Sequence, residues 1–277
     1  MRFASCAHAG RTFAAAIVDD TAVPLAGIAE LGSQTPTSVL ADPPLDRAGA
    51  VPLDEVTLRP VVPWPSKIVC VGLNYLNHVG ETGREIPEYP VLFTKFAETL
   101  TGPRDPIVLP PESAQVDYEG ELAVVIGRPG RRIATDAALT HVAGYTIAND
   151  VTMRDFQYKT HQWLQGKAWE ASTPVGPWLV TPEEVGDPSA LDLSLTLNDT
   201  VLQQANTAQL MFDIPELVSR ISEFVTLVPG DLILTGTPGG VGFRRDPQVF
   251  LAPGDHVRVE VSGIGALDNA VVAESCP

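Results

Sequence analysis

Two glutamates separated by one residue are the first feature with a chemical implication. Glu119 and Glu121 lie in segment 117–127 (DYEGELAVVIG), which begins polar and becomes apolar, as a strand does on entering a core. Residues two apart in a strand point to the same side, which would place the two carboxylates roughly 7 Å apart. A hard divalent cation would relieve their repulsion, whereas an acidic strand edge that discourages aggregation is the alternative. This segment alone leaves both interpretations open.

A third carboxylate, Asp150, follows an apolar segment and precedes a predicted helix over 152–163. Ligands often lie where a strand ends and a helix begins, but Asp150 could equally be a simple helix N-cap. Arg154 and Gln157 follow Asp150 at helical spacing, so the helix would place all three on one face. If this face borders a metal, Arg154 could clamp a substrate carboxylate; otherwise it forms a surface ion pair with an acidic neighbour.

His78 and Glu81 are a candidate acid–base pair. On a short helix their spacing would let the carboxylate orient the imidazole, and the pair could activate a water molecule. The pattern HxxE also arises frequently by chance. It is not HExxH, so a zinc protease is not supported.

A Gly-rich loop at 235–242 (TGTPGGVG) and the lysine Lys167 complete the set of candidate residues. The loop lacks the GK[ST] ending of a phosphate loop; its amides and the Thr237 hydroxyl would contact a small anion, or the glycines only form a tight turn. Lys167 lies between Trp163 and Trp169. It is either a partly buried, reactive amine or an ordinary lysine whose stem crosses an apolar surface.

Composition excludes several classes of function. The 277 residues include 34 acidic and 18 basic side chains, for a net charge of −16, and no basic stripe suits a nucleic acid. No apolar stretch approaches the roughly 20 residues of a membrane span. The three cysteines show neither a disulfide framework nor zinc-ligand spacing. We therefore expect a cytoplasmic protein without nucleic-acid or membrane partners.

Abundant proline and glycine predict many short elements and a β-rich, mixed α/β fold. Residues 1–60 are interpreted as a small N-terminal β region, and the segment PVVPWP as a linker to a catalytic domain at 66–274. An amphipathic helix is predicted at 213–224. Strands are predicted at Arg11–Val18, 67–71, 91–95, 119–127, 142–149, 191–198, Leu232–Leu234 and 256–261.

The order of these motifs resembles that of the fumarylacetoacetate hydrolase superfamily, over roughly residues 62–272. The segments that carry the resemblance are KIVCVGLNYLNHVGE (67–81), DYEGELAVVIG (117–127), GYTIANDVTMRD (144–155), GK (166–167), GTPGGVG (236–242), and PGD (229–231) with GDHVRVEVSGIGALDN (254–269). The resemblance implies a fumarylacetoacetase-like mixed β-sandwich roll for the catalytic domain. It also implies a homodimer.

The same resemblance assigns roles to the candidate residues. It implies a Mg²⁺ or Mn²⁺ ion, and sometimes Ca²⁺, held by Glu119, Glu121 and Asp150. Lys167 corresponds to the active-site lysine, and His78 with Glu81 to a water-activating pair on a lid. The residues expected to contact the substrate are Tyr75, Arg154, Gln157 and Thr237.

The resemblance favours a metal-dependent hydrolase of aromatic catabolism. It would cleave a C–C bond in a small β-diketo acid of the acylpyruvate or fumarylpyruvate type, through a metal-bound enolate of a 2-oxo acid. The same chemistry would serve a decarboxylase of the oxaloacetate type, or an isomerase or hydratase of a 2-oxo-alkenedioate. A non-catalytic metal-binding protein is the remaining alternative, and it leaves His78, Glu81 and Lys167 without a role.

Overall fold

Strands dominate the regular structure of the computed structural model, which describes residues 1–76 and 88–275. The strands of these residues are β1 Arg2–His8, β2 Arg11–Val18, β3 Thr21–Pro24, β4 Val51–Pro52, β5 Thr57–Leu58, β6 Ile68–Gly72, β7 Val91–Lys95, β8 Leu100–Thr101, β9 Ile107–Leu109, β10 Val116–Asp117, β11 Gly120–Ile126, β12 Val142–Asn149, β13 Thr152–Met153, β14 Thr173–Val180, β15 Asp192–Leu197, β16 Thr200–Asn206, β17 Leu232–Leu234, β18 His256–Val261 and β19 Gly265–Ala273.

Helices in the described residues are short apart from one. The α-helices are α1 Thr37–Ala41, α2 Arg154–Gln157, α3 Leu164–Lys167, α4 Pro182–Val185 and α5 Ile214–Phe224. The 3-10 helices are Arg47–Gly49, Leu53–Glu55, Ala97–Thr99, Thr135–His141, Thr207–Gln209 and Gly242–Arg244.

The strands form one large sheet, one smaller sheet and a two-stranded pair. The large sheet has the order β4-β3-β2-β1-β14-β12-β11-β17-β6-β7, with β5 joined to β1 and β8 to β14. The smaller sheet has the order β16-β15-β18-β19-β9, and β10 pairs with β13. The predicted β-rich, mixed α/β class is confirmed.

Strand β11 shows why the two sheets pack as they do. All seven of its residues are buried, which is the pattern of a strand covered on both faces. Leu122 and Val124 point into the core shared with the smaller sheet, which also contains Leu195 and Val259. Ala123 and its neighbours on the other face join a second core under the N-terminal strands. Because side chains alternate, a one-residue shift would exchange the two cores.

The N-terminal residues belong to the large sheet through β1, which pairs antiparallel with both β2 and β14. Phe3, Ala14 and Ala16 bury their side chains against the second core. Hydrogen bonding is therefore continuous from the first strands into the rest of the chain. The proposed division into 1–60 and 66–274 stays a prediction.

The amphipathic helix predicted at 213–224 is confirmed as α5. The Asp213 side chain caps it by accepting a hydrogen bond from the Glu216 N–H at 2.8 Å. Ile214, Leu217, Val218 and Ile221 are buried, as their helical spacing predicts. The eight predicted strands correspond to β2, β6, β7, β11, β12, β15, β17 and β18, with bounds that differ by no more than one residue.

The predicted helix over 152–163 is wrong. Strand β13 begins this segment because Met153 pairs with Val116 of β10. The helix α2 that follows has four residues, and α3 begins only at Leu164. Tertiary strand pairing outweighs the local helical pattern here.

Candidate metal centre and active-site cavity

The register of β11 on β12 brings the three predicted carboxylates together. Gly120 pairs with Asn149, and the next residues outward are Glu119 and Asp150. The Asp150 N–H donates to the Glu119 carbonyl oxygen at 2.8 Å. One carboxylate oxygen from each of Glu119, Glu121 and Asp150 lies within 4.8 Å of the others, and all three residues are buried. The sheet therefore assembles three oxygen donors from two adjacent strand ends.

Two buried lysines neutralise part of this cluster. Lys167 Nζ lies 2.7 Å from Glu119 Oε2 and 2.8 Å from Asp150 Oδ2. Lys95 Nζ lies 2.6 Å from Asp150 Oδ1. Burial alone would lower the pKa of Lys167, but the carboxylates of Asp150 and Glu119 outweigh it and raise that pKa above its usual value. Burial favours a higher pKa for Asp150, but Lys167 and Lys95 lower it below its usual value.

Arg154 is paired with two buried carboxylates. Its Nε donates to Asp117 Oδ2 at 2.8 Å, and its Nη1 donates to Gln157 Oε1 at 3.0 Å. Its Nη2 lies 2.6 Å from Glu119 Oε1. Burial lowers the pKa of Arg154, but Asp117 and Glu119 together raise it above its usual value, so the guanidinium stays charged. Arg154 therefore supports Glu119, and its predicted contact with a substrate stays a prediction.

Glu121 has no such cation. Its carboxylate accepts a hydrogen bond from the Gly236 N–H at 2.7 Å, and it forms no ion pair with the described residues. Burial raises the pKa of Glu121 well above its usual value, and the charges of Asp150 and Glu119 raise it further. Counted with Asp117, four buried carboxylates face the three buried cations Lys95, Arg154 and Lys167, so one carboxylate charge is left uncompensated. A hard divalent cation with oxygen ligands fits this donor set.

The Gly-rich loop closes over the cluster from β17. Gly236 adopts a φ of +102°, and a Cβ there would lie 2.9 Å from the Asn74 Cβ and 3.0 Å from the Val71 carbonyl oxygen. The loop can therefore bring its backbone amide to Glu121. Thr237 Oγ1 donates to the Gly120 carbonyl oxygen at 3.0 Å and accepts from Gln203 Nε2 at 2.8 Å.

A cavity of about 510 Å³, its open mouth included, leads to the carboxylate cluster. Its polar and charged lining residues are Glu119, Arg154, Gln157, Tyr158, Lys167, Thr237 and Arg244. Its apolar wall consists of Val71, Gly72, Leu73, Phe93, Trp163, Val241 and Phe243. The cavity therefore combines buried charges at its base with an aromatic wall, an arrangement suited to a small polar ligand.

Not every predicted site residue lies at this cavity. Glu119, Arg154, Gln157, Lys167 and Thr237 line it, and Glu121 and Asp150 lie directly behind Glu119. Tyr75 is fully buried and absent from the lining. Burial raises the pKa of its phenol, as does the nearby charge of Glu121.

His78 and Glu81 lie outside the described residues, so their predicted roles stay predictions.

Sequence reasoning missed four residues with contacts at or near the site. Lys95, which ends an apolar strand, carried the clearest signal, because a lysine at such a position is buried only with a partner. Asp117 stood two residues before Glu119, on the same face of the predicted strand. Gln203 and Arg244 gave no signal, because they lie in segments without a recognisable motif.

Comparisons with known proteins agree with this geometry. The family described as "Fumarylacetoacetate (FAA) hydrolase C-terminal" matches residues 67–272. Human oxaloacetate tautomerase FAHD2B, mitochondrial, is 47% identical over 224 residues, which cover 80% of this chain and 71% of that protein.

Two solved structures extend the likeness to nearly the whole chain. The 5-carboxymethyl-2-hydroxymuconate delta-isomerase of Mycobacterium smegmatis is 37% identical with a TM-score of 0.85, covering 99% of this chain and 100% of that one. The fumarylacetoacetate hydrolase EaFAH of Exiguobacterium antarcticum is 34% identical with a TM-score of 0.86 and the same coverage.

The chain therefore belongs to the fumarylacetoacetate hydrolase family, an enzyme family, and the recognition made from its motifs is confirmed. Within residues 1–76 and 88–275, no helix has the length and apolar character that a membrane crossing requires. The human relative is named as mitochondrial, so a cytoplasmic location stays a prediction for this chain, as does the homodimer.

Proposed function

We propose that this protein interconverts the keto and enol forms of a small 2-oxo acid at a divalent cation held by Glu119, Glu121 and Asp150. The observation that carries this proposal is the buried carboxylate cluster, with Lys167 at the base of the same cavity. The similarity to an oxaloacetate tautomerase and to an isomerase supports an isomerisation that conserves mass. The sequence left open an isomerase of a 2-oxo-alkenedioate, a reaction that also conserves mass.

Lys167 has the geometry to stabilise an enolate. An ammonium group carries three N–H donors, and two of them are directed to Glu119 and Asp150. The third is available to a ligand oxygen, because Lys167 also lines the cavity. A donor held in this way is oriented before charge develops, and such preorganisation is the main source of its catalytic effect. A bound divalent cation would supply Lewis-acid polarisation of the 2-oxo group.

Two further residues orient the ligand or the cluster. Gln157 Oε1 accepts from Arg154, which leaves the Gln157 amide nitrogen without a partner among the described residues and able to donate into the cavity. Arg154 supports Glu119 and also lines the cavity.

The test follows isotope exchange at the carbon next to the 2-oxo group. Protein stripped with a chelator receives Mg²⁺ or Mn²⁺, and proton NMR follows solvent-deuterium exchange at C3 of oxaloacetate above the rate with metal alone. We expect exchange that requires both protein and metal, without loss of CO₂. Exchange that is equal with and without metal would contradict the proposal, and CO₂ release would indicate a decarboxylase.

Substitution of Lys167 tests its role, and an exposed lysine, Lys159, provides the matched control. Lys167→Met should lower kcat for exchange by about 10²- to 10³-fold, the effect of losing one preorganised donor. Lys159→Met removes an exposed lysine that stacks on Phe156 and should leave kcat unchanged. Circular dichroism checks that both variants fold. Equal kcat for both variants would remove Lys167 from the mechanism.

Hydrolysis of an acylpyruvate is the second candidate. It is favoured by the pair His78 and Glu81 in the sequence and by the likeness to a fumarylacetoacetate hydrolase. Metal-dependent formation of pyruvate and a carboxylic acid, abolished by His78→Ala, would support it. Isotope exchange that survives His78→Ala, without product formation, would favour the isomerase.

A further inference from the structure

The charges at the base of the cavity are nearly balanced. Four buried carboxylates, of Asp117, Glu119, Glu121 and Asp150, meet three buried cations, of Lys95, Arg154 and Lys167. With all groups ionised, the cluster carries one net negative charge, and a divalent cation would change this to one net positive charge. The base of the cavity can therefore neutralise one carboxylate of a ligand but not two.

Arg244 is the remaining cation of the cavity lining. Of the three cations that line the described cavity, Arg154 and Lys167 are paired with buried carboxylates. Arg244 forms no ion pair with any residue in 1–76 or 88–275, and its guanidinium lies 5.4 Å from the Phe243 ring centroid. Its side chain is exposed, so its donors remain accessible to a ligand at the mouth of the cavity.

The backbone that carries Arg244 is fixed by Asp117, the last residue of β10. Asp117 Oδ1 accepts from the Gly242 N–H at 2.8 Å, and Asp117 Oδ2 accepts from the Phe243 N–H at 3.0 Å. Arg244 ends the 3-10 helix Gly242–Arg244, and its own N–H donates to the Val241 carbonyl oxygen at 3.1 Å. A flexible side chain is thus attached to a rigid turn whose position is set by the carboxylate cluster.

We propose that Arg244 binds the second carboxylate of a dicarboxylate 2-oxo acid and so selects dicarboxylates over monocarboxylates. This inference rests on the proposed function, in which the first carboxylate and the 2-oxo group bind at the base of the cavity. A guanidinium offers two parallel donors to a carboxylate, which suits it to this role.

Two substrates that differ in one group provide the test. Oxaloacetate and 2-oxobutanoate share a four-carbon chain, but a methyl group replaces the second carboxylate in 2-oxobutanoate. Deuterium exchange at C3 is measured for both with the Mg²⁺-loaded wild type, Arg244→Met and Arg244→Lys. Arg244→Met should raise the KM for oxaloacetate by roughly tenfold or more, the effect of losing a hydrogen bond to a charged group. Its kinetics with 2-oxobutanoate should not change, and Arg244→Lys should restore part of the preference.

Arg11→Met is the matched control, because Arg11 is an exposed arginine outside the cavity lining and also without an ion pair in the described residues. It should behave as the wild type with both substrates. Equal losses on both substrates for Arg244→Met, or none on either, would overturn the role of Arg244 while leaving the proposed function intact. Wild-type protein that exchanges neither substrate would overturn the proposed function, and this inference with it.

Discussion

The base and the mouth of the cavity are built in opposite ways. The base is buried, and hydrogen bonds hold its seven charged groups, Asp117, Glu119, Glu121, Asp150, Lys95, Arg154 and Lys167. The mouth consists of Tyr158, Phe243 and Arg244, which contact one another: the ring centroids of Tyr158 and Phe243 lie 5.5 Å apart, and Arg244 lies over Phe243.

This difference suits the base to the chemical step and the mouth to the selection of the substrate. The paired groups at the base cannot change without leaving a buried charge unpaired, so the base is suited to one step, the proposed stabilisation of an enolate. Groups at the mouth can change at low cost to the fold, because surface substitutions seldom alter stability by much. Relatives in this one family are named as a tautomerase, an isomerase and a hydrolase. Such a range of activities is consistent with a shared base and a variable mouth.

Asp117 joins the two regions, and its substitution should have the largest effect on stability. Both carboxylate oxygens of Asp117 accept hydrogen bonds: one from Gly242 N–H, the other from Arg154 and Phe243 N–H. An asparagine would replace one of these oxygens by an NH₂ group, which would then face a donor instead of bonding to it. We expect Asp117→Asn to lower the free energy of unfolding by about 3–5 kcal/mol, as breaking a buried ion pair does. Urea unfolding measures the change, and the exposed residue Asp136 provides Asp136→Asn as the control. A loss no greater than that of the control would show that the base and the mouth are independent.

Glu121→Gln should separate metal binding from folding. In the wild type, Mg²⁺ at about 100 times its Kd should stabilise the fold by about 2.7 kcal/mol, and the variant should lose this gain with its ligand. The metal-free variant should be at least as stable as the metal-free wild type, because burial and two neighbouring carboxylates disfavour the charged form of Glu121. Thermal unfolding with and without Mg²⁺ measures both quantities.

Glu223→Gln, on the exposed side of α5, should retain the full metal-dependent shift. If Glu121→Gln also retained it, Glu121 would not be a ligand. If Glu121→Gln unfolded without metal, its charged carboxylate would have a structural role that the contacts do not indicate.

The fold was predictable wherever burial produces a strong local pattern. The alternation in β18, with Val257, Val259 and Val261 buried, and the helical spacing in α5 both follow from one apolar face. The segment 152–163 failed because pairing between β13 and β10, which are distant in sequence, decides its backbone. Periodicity within one segment carries no information about such a partner.

The candidate site was predictable where side-chain type and spacing point to a ligand. Glu119 and Glu121 share a strand face, so their proximity follows from strand geometry. Asp150 joined them only through the register of β11 on β12, which the sequence alone does not give. The ion pair of Arg154 with Glu119 was not predicted, although Asp117, which also pairs with Arg154, lies two residues before Glu119 in the sequence.

Phe243→Leu should have the smallest effect of these variants, and it tests whether the mouth acts on substrate binding alone. The variant keeps an apolar wall but removes the ring beneath Arg244, a cation–π contact worth about 0.5–1 kcal/mol at an exposed site. The KM for oxaloacetate should therefore rise about two- to fivefold, while kcat and the metal-induced stabilisation stay as in the wild type. Phe224→Leu, which changes an exposed phenylalanine at the end of α5, is the control and should leave KM unaltered. A fall in kcat with unchanged KM would place Phe243 in the chemical step, because a residue that only orients Arg244 acts on binding of the second carboxylate.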